Sequence, residues 1–175
     1  METYRPRIEN PYPDGEWSEI TDFCYLTSLV LRREPKAVRT RGNKNKDADY
    51  ILGEAYSVSY KLDGTDRNLT VPRGMLTDLA SVPRIASLAG IGRVGPHLEA
   101  SILHDYLYIA WQYLDPERAP QRADKQFADE LFRVAMTETS VKPLRREIIY
   151  RAVRWFGWSV YLERDPGAFV DLDSA

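Results

Sequence analysis

The run ILHDYLY, residues 102 to 108, sets His104 beside Asp105 among apolar neighbours and adds Tyr106 and Tyr108. An imidazole titrates near neutrality and can exchange protons at physiological pH, while a carboxylate can fix its tautomer or hold a cation. At about 100° per residue on a helix, His104 projects with Ala100, Leu107, Tyr108 and Trp111, and Asp105 lies on the next strip with Ser101 and Ile109. Charge on so apolar a face is costly unless it is paired, hydrogen-bonded or metal-bound. Asp124 begins a face with Phe127, Ala128 and Leu131, so an antiparallel second helix would point it at His104 and Tyr108, where it could orient the imidazole. Asp78, in TDLASVPR, stands before the helical part and could approach Asp105; two such carboxylates suit a hard cation such as calcium. Gly90, Gly92 and Gly95, in GIGRVG, would let backbone come close to that ion. The same string matches a dinucleotide-binding pattern, but no strand precedes it and no acidic residue follows in a βαβ frame, so that reading is rejected.

Each of these residues also has a purely architectural reading. His104, Asp105, Tyr108 and Asp124 can close a satisfied polar network that fixes helix packing. Asp78 can be a turn or cap residue, and His97 an exposed first-turn histidine. Arg84 and Arg122 can pair with the carboxylates, taking the place of a cation. Trp111, Trp155 and Trp158 read as core.

The elements that must position these groups follow from periodicity. ILGEAYSVSY, residues 51 to 60, alternates like a half-buried strand, Asp63-Gly64 supplies a turn, and Asn68 to Val71 a partner strand ended by Pro72. Phe23 to Leu31 reads as an earlier strand or a short buried helix, and RTRGNKNKDAD as an exposed loop. Helical spacing then predicts helices over Pro96 to about Tyr113, Pro120 to about Thr137, and from Pro143 onward, where Ile148, Ile149, Ala152, Val153, Phe156 and Val160 recur. The expected fold is α+β: a small N-terminal antiparallel β-sheet or hairpin, over about residues 20–75, followed by a bundle of three main α-helices over 83–163. The acidic tail 164–175 is expected to be loose, and the whole to form a single domain.

Composition narrows the function classes. The 175 residues are 43% hydrophobic and carry net charge −2, so no global field draws the chain to nucleic acid, and none is predicted as a partner. The basic stretch Arg145 to Arg154 reads as a solvated helix face. Cys24 is the sole cysteine, which excludes an internal disulfide and multi-cysteine metal sites; it reads as a small buried hydrophobe. No window reaches the roughly 18 apolar residues of a membrane span or the apolar core of a signal peptide, so synthesis and residence in the cytoplasm are expected.

Two resemblances attach to these motifs. VPRGMLTDLASVPR, then HDYLY, RADKQFADELF and AVRWFGW, in that order from about Leu69 to Trp158, resemble an uncharacterised family spread through tailed phages, prophages and related particles. That implies a phage-type context, with virion association and phage structural proteins as partners, and no established chemistry. The helix pair is similar to that of phospholipase A(2), especially its compact bacterial and fungal branch: Asp78, Ser81 and Pro83, then His104, Asp105 and Tyr108, then Asp124 and Phe127, lie on its pattern. By that resemblance His104 is the general base, Asp105 and Asp78 hold calcium, Asp124 orients His104, and Tyr108 supports Asp124. The implied activity is calcium-dependent hydrolysis of a phospholipid or other envelope ester. The chain departs from those lipases in lacking their disulfides and signal. The alternative function is a noncatalytic tail, baseplate or assembly component.

Overall fold

In a computed structural model of the chain the described residues are 4–33, 50–77, 95–115 and 117–173. The strands are β1 (Ile20–Tyr25), β2 (Leu31–Arg32), β3 (Tyr50–Leu52), β4 (Tyr56–Leu62), β5 (Thr65–Val71) and β6 (Leu76–Thr77). The helices are α1 (Leu98–Ile109), α2 (Trp111–Leu114), α3 (Arg122–Glu138), α4 (Pro143–Phe156) and α5 (Trp158–Leu162).

The class is α+β, but the expected architecture of one small hairpin sheet and a three-helix bundle is overturned. Two three-stranded antiparallel sheets, ordered β1-β4-β5 and β2-β3-β6, precede five helices among the described residues. The reason lies in ILGEAYSVSY, which is not one strand. Gly53, Glu54 and Ala55 interrupt it, so its first residues pair with β2 and β6 while Tyr56 onward pairs with β1 and β5.

Within the first sheet, strict alternation turns Tyr56, Val58, Tyr60 and Leu62 inward. The β4–β5 turn places Asp63 and Gly64 at φ 49° and 76°, a left-handed pair that an Asp-Gly dipeptide accommodates, and the Ser18 and Glu19 amides bond the Asp63 carboxylate at 3.0 Å. β1 carries an irregularity between Thr21 and Cys24, with Asp22 at φ 50°. That bulge shifts the phase, burying Phe23 and sending Cys24 outward. Cys24 is therefore exposed, not the buried hydrophobe its composition suggested.

α3 is the central helix, packed against β1, α1 and α4. Its inner stripe of Phe127, Ala128, Leu131, Phe132, Ala135 and Met136 is fully buried; each large side chain there contributes roughly 1.5–3 kcal/mol through removal from water. Tyr60 and Trp17 pack their rings on Phe127 from the sheet side, and the Tyr25 hydroxyl bonds the Ala135 carbonyl at 3.1 Å.

Three further expectations are revised. The first helix begins at Leu98 and breaks at Ala110, and His97 before it is buried. The third helix breaks at Gly157; Ile149, Ala152 and Val153 face the core, while Ile148, Trp155, Phe156 and Val160 face outward. A Cβ at Gly157 would lie 2.4 Å from the Val153 carbonyl oxygen and 2.5 Å from the Tyr108 hydroxyl, so the break requires glycine. The tail is seated rather than loose: Ala168 and Phe169 are buried, Leu76 N–H donates to the Ala168 carbonyl at 2.8 Å, and Phe169 bridges Met75. Among the described residues no helix is long and apolar enough to cross a membrane.

Candidate functional site

His104 and Tyr108 are one turn apart on α1 and both point at α3, because that is the face α1 buries. Their partner there is Asp129. His104 Nε2 lies 3.1 Å from Asp129 Oδ1, and the Tyr108 hydroxyl donates to the same oxygen at 2.8 Å. Lys125, one turn earlier on α3, donates from Nζ to Asp129 Oδ2 at 2.6 Å and to the Val153 carbonyl of α4 at 3.0 Å. The His104 ring stacks on Phe132 with centroids 4.6 Å apart and tilts against Tyr108 at 4.0 Å. All four polar side chains are withdrawn from solvent.

Burial governs the protonation of this cluster. Desolvation holds the His104 imidazole below its ordinary value, outweighing the opposing hydrogen bond and charge of Asp129, so the ring is neutral near pH 7. Burial pushes the Asp129 carboxyl up, but the His104 bond and the Lys125 ammonium prevail and hold it below the usual range, ionised. Tyr108 is driven far up by desolvation, then by the Asp129 charge, and stays a phenol donor. An ionised carboxylate only accepts, so Nε2 carries the imidazole proton and Nδ1 presents its lone pair. Among the hydrogen bonds of the described residues, that of His104 is made through Nε2 and none reaches Nδ1.

The other predicted residues are distributed differently. Asp124 does not reach His104, and Tyr108 bonds Asp129 in its stead. The Asp124 carboxylate takes the Arg118 guanidinium at 2.6 Å and, with Asn10, Trp17 and Gln121, lines a groove of about 640 Å³. Five positions turn Asp124 about 140° around α3 from Asp129, so the two cannot face one partner. Arg122 stacks on the Trp158 ring at 4.4 Å, away from the carboxylates. Asp105 is half-buried, and its Oδ2 accepts the Thr77 hydroxyl at 2.8 Å, which ties α1 to the end of β6. Gly95 accepts the first helical amide, Leu98 N–H, at 2.9 Å. Asp78, Arg84, Gly90 and Gly92 lie outside the described residues.

Two members of the cluster, Asp129 and Lys125, escape the sequence reading. Their signal is the stripe itself: Lys125, Ala128, Asp129, Phe132 and Met136 fall at i, i+3, i+4, i+7 and i+11, so a salt-bridging pair stands at the centre of an apolar face. The spacing i, i+4 lets the pair satisfy each other.

As for a metal, the described residues contain no cluster of three or more His, Cys, Asp or Glu side chains able to hold one. Asp105 brings one carboxylate, already accepting from Thr77, so these residues alone do not compose a calcium shell.

Among known proteins, the model of a family described as a protein of unknown function (DUF1353) matches residues 51–153. No curated protein matches, and no solved structure does.

Proposed function

The chain belongs to the DUF1353 family, whose matched span holds both helices of the His104 cluster, and from that premise we propose that it is an ester hydrolase with His104 as general base. The observation that carries the reading is the convergence of His104 Nε2 and the Tyr108 hydroxyl on one oxygen of Asp129. A neutral imidazole with Nε2 anchored and Nδ1 unengaged is the form a general base requires. Nδ1 would take a proton from a water as that water's oxygen bonds the ester carbonyl carbon. The imidazolium so formed would keep donating to Asp129, and its Nδ1 proton would pass to the departing alkoxide. Asp129 thus would orient the ring and stabilise its charged form, the part that the phospholipase resemblance gives to Asp124. Phospholipid is the proposed substrate, calcium at Asp105 the proposed cation, and a phage-type particle the proposed setting; the order of the HDYLY and RADKQFADELF motifs supports the last.

A second reading, a noncatalytic particle component, is favoured by Lys125. It neutralises the free oxygen of Asp129 and bonds α4, which makes the cluster a three-helix clamp. One experiment separates the two: fatty-acid release from mixed phospholipid vesicles, with and without calcium, by wild type, His104→Ala and Asp129→Asn. Release by wild type falling 10²-fold or more in His104→Ala, with its fold retained, supports the hydrolase. No release by wild type under either condition leaves the clamp.

A further inference from the structure

α4 has two apolar faces, and only one is covered. Ile149, Ala152 and Val153 pack inward, yet Leu144 is 75% and Trp155 68% exposed, with Ile148, and with Phe156 and Val160 at the α4–α5 break, also open to solvent. Leu144, Ile148, Arg151 and Trp155 fall within about 60° of one another on the helix, so the exposed residues form a stripe. This is more apolar surface than scattered single exposures explain. It is also electropositive: residues 142–156 include Lys142, Arg145, Arg146, Arg151 and Arg154 against one carboxylate, Glu147, in a chain whose net charge is −2.

We propose that this face docks on anionic phospholipid membranes, with Trp155, Phe156, Leu144 and Ile148 entering the boundary between headgroups and acyl chains. Arg151 stands inside the stripe, its Nε donating to Glu147 at 2.7 Å and its terminal nitrogens left for lipid phosphates, and Arg154 stands beside it with its own guanidinium. A tryptophan within the apolar stripe suits that boundary, because its ring is apolar and its N–H polar. Charge selects this occupant over a second copy of the chain. A two-fold contact would set the cationic face against itself, whereas a membrane of anionic lipid complements it. The surface stands on exposure and charge alone; that its lipid is also the substrate rests on the hydrolase reading. The Val153 carbonyl, which Lys125 bonds, joins this helix directly to the His104 cluster.

Co-sedimentation of the full chain with phosphatidylglycerol vesicles and with phosphatidylcholine vesicles, at low and high salt, tests it. Wild type should pellet with phosphatidylglycerol at low salt, weakly with phosphatidylcholine, and less at high salt. Trp155→Ser should lower partitioning on the order of tenfold, and Arg151→Gln about fivefold. Both positions are exposed, so thermal melts matching wild type will show the variants folded. His104→Ala should bind as wild type does, which keeps failure of hydrolysis distinct from failure of docking. Equal partitioning of wild type and Trp155→Ser, or equal retention on both lipids, overturns the proposal. So does concentration-dependent dimerisation abolished by Trp155→Ser without vesicle binding, which assigns the face to a second copy.

Discussion

Asp124 and Asp129 stand five residues apart on α3, both shielded from water and each gripped by one cation at 2.6 Å, yet their neighbourhoods differ. The Asp129 cation, Lys125, is itself buried, and two further donors from α1 complete the carboxylate. The Asp124 cation, Arg118, is 23% exposed and opens on a groove. What separates them is where the surplus charge can go when the pair is broken. At Asp124 the guanidinium can turn to water; at Asp129 the ammonium cannot.

The comparison is sharpest when each acid is removed. Asp129→Leu strands Lys125 inside the protein and should cost on the order of 3–5 kcal/mol in urea unfolding, and Lys125→Met in the same chain should restore most of it. A loss as large in the double variant would show that the ion pair is not the source. Asp124→Asn, with Arg118 free to rehydrate, should cost only about 1–2 kcal/mol by the same measurement. An effect equal to that at Asp129 would erase the distinction.

A gentler contrast comes from pH. Unfolded histidine gains a proton near pH 6.5 and the buried His104 ring resists it, so the folded-state value is the lower one. As pH falls through about 6.5 the unfolded chain takes up a proton that the native chain declines, so stability drops, then levels once the folded ring also titrates. Melting temperature against pH should show that descent in wild type and lose it in His104→Gln, which keeps a donor for Asp129. Identical profiles would mean that His104 is not held neutral by burial.

The periodicities tell why part of this was legible. His104 and Tyr108 share a helix face whatever the tertiary structure, so their convergence could be read at once, as could the hairpin around Asp63-Gly64. The partner across the interface depends on the roll of α3 about its axis, and an acid near the helix start is no better marked in sequence than one five residues later. Asp129 carries no mark of its own, because it sits among Phe127, Ala128, Leu131 and Phe132, in a stripe whose period reads as apolar core. The division of ILGEAYSVSY between two sheets, and the phase shift at Asp22 that exposes Cys24, arise from pairing with distant strands. Trp155 reads as core by its type, whereas its neighbours Ala152 and Val153 are the residues that turn inward.

β6 takes β3 on one side and, through Met75 and Leu76, residues 168 and 169 on the other. On a ribosome the first sheet can close as soon as its hairpin emerges, but the far edge of β6 must wait until synthesis has passed Phe169. Until then that edge lacks its partner, and an unpaired strand edge is a template for another chain, which the seating of residues 168 and 169 on Met75 and Leu76 prevents.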